Sequence, residues 1–277
     1  MRPLIDPLVS NGYALEMTQE KLGWLEPTDP HLPVEKLREK YRQYGYLWLK
    51  GFFERDVVLN FQQYFFATIF SRGPQAFFEV ISSQEYQDFC TMPRLWTFYQ
   101  EFLLGQPYLH KRKLIRFNHP GEDHCTGGHY DLIYLRAGTD QLCTSWIPLG
   151  DIPVEMGGVL YLEHSDAVGR QMEAEFRVKN ADLPPEERIS AYNRNMRENG
   201  WISTNLVDMV ERFQSRWLVA DYEAGDMVIH SPYMIHAATQ NNDPLNRIRL
   251  STDIRFQRID DDIDQRWAKD WTLGDDL

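Results

Sequence analysis

The sequence predicts a mainly β protein with a helical N-terminal part, and three observations predict it. Apolar residues recur at helical spacing through much of the first hundred positions. From about residue 110 the pattern changes to short runs rich in β-branched and aromatic residues, most of them separated by Gly, Pro, Asn or Asp. An insertion at about 166–215 then returns briefly to helical character. Short strands divided by turn signals point to a sandwich or barrel such as a jelly roll. With 277 residues, 43% of them hydrophobic, the chain can bury a sizeable core, so it is read as one domain over 1–277. Its helical part covers about 31–105 and its β core about 109–257.

The elements follow in order. The first thirty residues contain Pro3, Pro7, Pro27 and Pro30 and read as an irregular lead-in. Val34, Leu37, Tyr41 and Tyr44 then fall at helical spacing, with Gly45 placed to stop the helix. "YLWLKG" reads as a short strand. Val58, Phe61, Phe65 and Ile69 form one stripe of a second helix. A third helical segment lies within 84–104, interrupted by Pro93. "KLIRF", "LIYLR", "LCTSWIPL", "GVLYLEH", "RWLVAD", "DMVIH" and "RIRLSTDIRF" read as strands. Within the insertion, residues 183–200 are expected to be helical, opened by Pro184 and Pro185 and closed by Gly200. Long insertions on a β scaffold commonly form lids or substrate walls. On that logic Tyr192, Met196 and Trp201 are candidate substrate contacts.

Charge and cysteine usage narrow the function classes. Lys and Arg number 29 against 41 Asp and Glu, and a net charge of −12 repels phosphate backbones and anionic bilayers. Nucleic acid and membrane are therefore not expected partners, and a small organic molecule is. No run approaches the roughly 20 apolar residues of a membrane span. Cys90, Cys125 and Cys143 offer neither a disulfide framework nor zinc-ribbon spacing. The N-terminus lacks an uninterrupted apolar segment of signal-peptide type. A cytoplasmic monomer or homodimer is the expectation.

The chemistry-bearing stretch is "CTGGHYDLIYL", Cys125 to Leu135. On an extended chain His129 and Asp131 share a face and can point at one atom. Gly127 and Gly128 would let the backbone turn sharply just before them. A facial-triad metal site needs one further histidine. His164, His230 and His236 lie downstream in strand-like context. His236, after Pro232 near a loop mouth, fits a third ligand better. His230 ends an apolar strand and fits a buried or supporting histidine. In "LNRIRLSTDIRFQ", Arg247, Arg249, Ser251, Asp253 and Arg255 face one way on an ideal strand. An inward arginine beside an inward serine makes a carboxylate clamp.

The segments "GGHYDLIYL", "TSWIPLGDIPVEMGGVLYL", "EAGDMVIHSPYMIHAATQN" and "RIRLSTDIRFQ" occur in the order and rough spacing of a known family. From about Leu109 to Gln257 the chain resembles the phytanoyl-CoA dioxygenase family of iron(II)/2-oxoglutarate-dependent oxygenases. The resemblance implies a double-stranded β-helix, a jelly-roll or cupin-like core flanked by helices, with iron at its open end. It implies iron(II), 2-oxoglutarate and dioxygen as cofactor and co-substrates, with His129, Asp131 and His236 as the metal ligands and catalytic centre. Arg249 becomes the arginine for the far carboxylate of 2-oxoglutarate. The spacing usual in the family falls on Arg247, but Arg249-Leu250-Ser251 supplies the Arg-x-Ser pattern, so Arg249 is preferred. Ser251 adds a hydroxyl to the clamp. Thr144 and Ser145 alternate faces, and Thr144 is the candidate co-substrate contact. Arg116 could reach the site or a substrate acid, with Lys113 a weaker candidate, and Tyr130 and Tyr134 flank the triad. The family motif has Pro-Gly-Ser-His where this chain reads Glu163-His164-Ser165-Asp166, and no role is carried over there. Related halogenases lack the carboxylate that Asp131 supplies, so oxidation without halide is implied. The expected reaction is hydroxylation, desaturation or ring closure of a small molecule, for example in secondary metabolism, with release of succinate and CO2.

Two other readings compete. A metal- or sugar-binding jelly-roll protein without turnover would need no co-substrate clamp. A zinc or manganese hydrolase on the same barrel would act without 2-oxoglutarate.

Overall fold

The computed structural model describes residues 6–184, 187, 188 and 200–272. The helices are α1 (Val34–Tyr44), α2 (Arg55–Arg72), α3 (Phe77–Ile81), α4 (Gln84–Cys90), α5 (Pro93–Phe102), α6 (Leu132–Leu135), α7 (Ser165–Lys179) and α8 (Leu206–Phe213). The strands are β1 (Val9–Ser10), β2 (Tyr13–Ala14), β3 (Leu22–Trp24), β4 (Pro27–Thr28), β5 (Tyr46–Leu49), β6 (Pro107–Leu109), β7 (Leu114–Asn118), β8 (Leu142–Pro148), β9 (Val159–Leu162), β10 (Trp217–Val219), β11 (Met227–His230), β12 (His236–Ala238) and β13 (Arg249–Arg258). No helix among the described residues is long and apolar enough to cross a membrane.

Local chemistry sets the helix ends. Gly45 adopts the left-handed conformation, φ 77°, and its N–H returns to the Tyr41 carbonyl, which closes α1. Pro93 opens α5, where the missing N–H costs nothing. The segment 84–104 is therefore two helices meeting near Pro93.

Two open sheets form the jelly-roll layers. The larger runs β4-β5-β11-β8-β13-β6, with β7 paired to β13 beside β6. The smaller runs β12-β9-β10-β3. Strand β13 lies antiparallel to β8, with Ser251 opposite Pro148 and Gln257 opposite Leu142. Alternation then divides the roles of the two strands. Leu250, Ile254 and Phe256 join Cys143, Ile147 and the α2–α5 side chains in one apolar core. Thr252 and Ser145 face the same way, and their hydroxyls pair with those of Tyr86 and Tyr99. Burying a side chain such as Ile254 stabilises the layer by about 2 kcal/mol. The opposite face of the sheet looks toward the smaller sheet. There Trp146 and Val228 meet Val159, Tyr161 and Leu218 in a second core.

Three expectations need correction. The lead-in is not irregular, because β3 adds to β10 and β4 to β5, both in parallel. Edge pairing satisfies backbone groups that the prolines had seemed to remove from any sheet. "LIYLR" is not a strand. It forms the helical turn α6, with Leu132, Ile133 and Leu135 all buried. A short apolar run buried on every side carries no period that separates helix from strand. The third concerns the last strand, which starts at Arg249 and leaves Arg247 in the preceding turn, next to Asn246 at φ 56°. In the insertion, α7 and α8 lie between β9 and β10. Tyr192 and Met196 fall outside the described residues.

Candidate active site

The two histidines of the triad are held together by their own backbones. His129 N–H donates to the His236 carbonyl at 3.1 Å, and His236 N–H donates to the His129 carbonyl at 2.8 Å. This bridge joins the loop after β7 to the edge strand β12 and sets the imidazole centroids 4.2 Å apart. Each ring is then oriented by a second bond. His129 Nδ1 donates to the Gly127 carbonyl and His236 Nδ1 to the Met234 carbonyl, both at 2.9 Å. A carbonyl only accepts, so Nδ1 carries the proton in both rings and Nε2 is left as a free lone pair.

Asp131 reaches the same point from a different backbone than expected. Its residue is helical, φ −64° and ψ −29°, and begins α6. The shared face of an extended strand is therefore not what joins His129 to Asp131. Asp131 Oδ1 lies 3.8 Å from His129 Nε2 and 3.7 Å from His236 Nε2. One donor atom from each of the three residues falls within 4.8 Å of the others. The second oxygen, Oδ2, is fully engaged. It accepts from Thr144 Oγ1, from Arg255 Nη2 at 3.2 Å and from His230 Nε2 at 3.4 Å. One carboxylate oxygen is thus fixed in position by the protein, which leaves the other to a ligand.

Electrostatics agree with that division. Burial opposes charge on Asp131, but Arg255, His230 and His236 outweigh it and hold the carboxyl well below its usual range. Burial lowers His129 to about 4, against the pull of Asp131. Burial, with the neighbouring His129 and His230, also holds His236 well below the usual value. Two neutral imidazoles and one carboxylate, directed at one point, suit a divalent first-row metal of the facial-triad type.

Gly127 and Gly128 serve close approach and not a sharp turn. Neither is among the glycines at positive φ. A Cβ on Gly127 would stand 2.8 Å from the Trp201 ring, and one on Gly128 would collide with Met209 Sδ. His230 sits behind the triad, with Nδ1 2.9 Å from Tyr161 Oη. His164 is exposed at the N-terminus of α7, in the left-handed conformation and without a side-chain cap bond, and it does not line the cavity.

A cavity of about 490 Å³ opens in front of His129 and Asp131, within the size range of small-molecule sites. Arg249 is buried on its wall. Asn118 accepts from its Nη2, while its Nε has no partner; the Ser251 hydroxyl two residues on has none either, but it is fully buried and absent from the cavity wall. Burial and the nearby Arg116 bring Arg249 down to about 10, so it stays cationic at neutral pH. Asp253 is not its partner, because Arg116 Nε takes that carboxylate at 2.6 Å. Asp226 is bonded to Trp48 Nε1 and the Gly51 N–H. A buried guanidinium with no carboxylate partner on the cavity wall fits one end of a dicarboxylate.

Three candidates are placed differently from expectation. Arg247 does not reach the cavity, since its guanidinium is tied to Asp243 by bonds of 2.9 and 2.8 Å. Thr144 faces the site but donates to Asp131 and is absent from the cavity wall. Lys113 turns away to Gln87, over the Tyr86 ring. Arg116, Tyr134 and Trp201 do line the cavity. Tyr130 does not; its hydroxyl donates to Glu173 at 2.6 Å.

Sequence reasoning missed Arg255 and Trp267. Arg255 shares the inward parity of Arg249, and that parity was the available signal. Trp267 lies in the segment after β13, where no periodicity marks it. Its indole N–H donates to the Tyr134 carbonyl at 3.0 Å, which seats it against the site.

The family model described as phytanoyl-CoA dioxygenase (PhyH) matches residues 62–247. Among solved structures, the chain is similar to the non-heme alpha ketoglutarate dependent carbocyclase SnoK from nogalamycin biosynthesis. The TM-score is 0.59 at 18% identity, over 86% of this chain and 88% of that one. The epimerase SnoN, solved with Fe3+, alpha ketoglutarate and nogalamycin RO, gives a TM-score of 0.55 at 17% identity over 81% and 83%. EctD from S. alaskensis gives 0.56 at 14% identity over 98% and 89%. At these identities the likeness concerns the fold. No curated protein sequence matches the chain.

Proposed function

Because the chain belongs to the phytanoyl-CoA dioxygenase family, we propose that it is an iron(II)- and 2-oxoglutarate-dependent dioxygenase acting on a small organic molecule. The reaction is a hydroxylation, desaturation or ring closure, with release of succinate and CO2. One observation carries this reading. The Nε2 atoms of His129 and His236 and Asp131 Oδ1 converge beside a cavity whose wall carries the buried Arg249, which has no carboxylate partner.

The residues divide the work. His129, Asp131 and His236 would hold the metal, and Arg249 would hold the distal carboxylate of the co-substrate. When bound, iron supplies the activation of dioxygen that an unactivated C–H bond requires. The Gly127 and Met234 carbonyls keep both imidazoles in the metal-binding tautomer. Thr144, His230 and Arg255 fix Asp131, so the geometry does not depend on the metal to form it. Tyr134 and Trp201 put aromatic surface on the cavity wall beside His129, where an apolar part of the substrate would lie. SnoK and SnoN, named as carbocyclase and epimerase, carry different outcomes on this fold, so placement of the substrate selects the outcome here. Buried free Cys90, Cys125 and Cys143 accord with a cytoplasmic location.

Anaerobic addition of iron(II) and 2-oxoglutarate is the direct test. A weak visible charge-transfer band is expected on mixing. Correctly folded protein without the band would sink this reading and favour a binding protein, which has no need of Arg249.

A further inference from the structure

The N-terminal hairpin stands behind the wall that carries the metal-binding histidines. Strands β1 and β2 pair antiparallel, Val9 with Ala14 and Ser10 with Tyr13. Asn11 and Gly12 make the two-residue turn at φ 50° and 83°, a left-handed conformation that Asn and Gly accept most readily. Leu8 and Leu15 anchor the base of the hairpin in the same core as Tyr130, Leu132, Ile235 and Ala237.

Three hydrogen bonds run from this hairpin to the site, and each ends on a residue of the cavity wall. The Val9 carbonyl accepts from the Gln240 N–H at 2.8 Å. The Ser10 hydroxyl, fully buried, donates to the Ala238 carbonyl at 2.9 Å. The Asn11 side-chain carbonyl accepts from the Cys125 N–H at 3.0 Å. Cys125, Ala238 and Gln240 all line the cavity.

The backbone ladder between the two histidine segments shows what these bonds hold. His129 and His236 form one rung with both hydrogen bonds made. A regular antiparallel ladder would next pair Ala238 with Gly127. Instead the Ala238 N–H donates to the Thr126 carbonyl at 3.0 Å, one residue out of register. That shift frees the Gly127 carbonyl to accept from His129 Nδ1, the bond that leaves Nε2 to a metal. The Ala238 carbonyl points to the same side, and Ser10 takes it in place of a regular rung. Asn11 holds the other side of the shift through Cys125.

We propose that the hairpin is a clasp that sets the metal-binding geometry, with Ser10 and Asn11 as positioning residues. They act through Ala238 and Cys125 to hold the shifted ladder, and the ladder aims His129 and His236 at one point. Partners outside the ligand set tune metal affinity in this way. The assignment rests on the metal triad proposed above and adds residues that no metal or substrate touches.

The test is an anaerobic calorimetric titration of iron(II) into the full-length metal-free protein, with the thermal transition of each variant measured alongside. His129→Ala supplies the background from iron bound elsewhere. Asn11→Gly keeps the left-handed turn and deletes the side chain. It is expected to weaken iron(II) binding about fivefold, the worth of one neutral hydrogen bond. Asn11→Asp keeps an acceptor at the same place and should bind within about twofold of wild type. Tyr86→Phe, on the helix side of β13, measures the effect of general destabilisation and should leave the affinity unchanged. Wild-type affinity in Asn11→Gly would overturn the clasp. An equal loss in Tyr86→Phe would overturn it too, since any loss of stability would then act alike. So would an equal loss in Asn11→Asp, since the acceptor would then be immaterial. Wild-type protein that binds no more iron(II) than His129→Ala would overturn the triad itself and the clasp with it, a result distinct from the other three.

Discussion

The two faces of β13 present opposite solutions on one strand. Toward the helices, Leu250, Ile254 and Phe256 are buried among aromatic rings, with Tyr99 stacked 4.0 Å from Phe256. Toward the smaller sheet, Arg249, Ser251, Asp253 and Arg255 are equally buried, but as polar groups with partly open valences. The period of two lets a single strand anchor the fold on one side and build the site on the other. The helical layer supplies the burial energy that holds unmatched charges on the inner face. Substitutions on the two faces should therefore separate stability from chemistry.

The largest effect belongs to the inner side. His129→Ala is expected to abolish iron binding and succinate formation while the thermal transition of the metal-free protein stays close to wild type. Wild-type turnover in that variant would refute the triad. On the helix face, Ile254→Ala should cost about 3 kcal/mol of stability, as buried large-to-small changes do. Denaturant titration would show this, and the metal affinity of the remaining folded protein should be unchanged. A selective loss of metal affinity there would mean that the two faces are coupled.

Arg249→Ala should raise the 2-oxoglutarate concentration needed for half-maximal turnover by tens of fold, equivalent to about 2 kcal/mol. Arg247→Ala, which breaks the pair with the buried Asp243 away from the cavity wall, should change it little. The reverse order would assign the clamp to the wrong arginine. The smallest effect is expected from Tyr86→Phe, which removes the hydroxyl paired with Thr252. A stability loss of about 1 kcal/mol, with no change in co-substrate requirement, is the predicted result.

Much of this division is legible in the sequence. The helix stops at Gly45, the helix start at Pro93 and the alternation in β8 and β13 are local signals that survive tertiary packing. His129, Asp131, His236 and Arg249 are named by motif order; the fold directs the first three at one point and places His129, Asp131 and Arg249 on the wall of one cavity. Other features are not local. Arg247 and Arg249 cannot be distinguished by parity, and only the turn at Asn246 shows that the strand begins after the first of them. Thr144 is recognised as inward-facing, but whether it meets the co-substrate or Asp131 depends on where α6 places that carboxylate.

What the sequence by itself determined is the grammar of the elements, the helical part before a β core, and the order of the metal-binding motifs. Periodicity, caps and motif spacing depend on near neighbours in the chain. What only the tertiary structure decided is which polar groups meet. Asp131 draws its supporting bonds from Thr144, His230 and Arg255, up to 124 positions away. Trp267 comes from a segment with no pattern of its own and pins Arg255. Such pairings are fixed by packing two sheets face to face, and no local period in the chain encodes which residues will stand opposite one another.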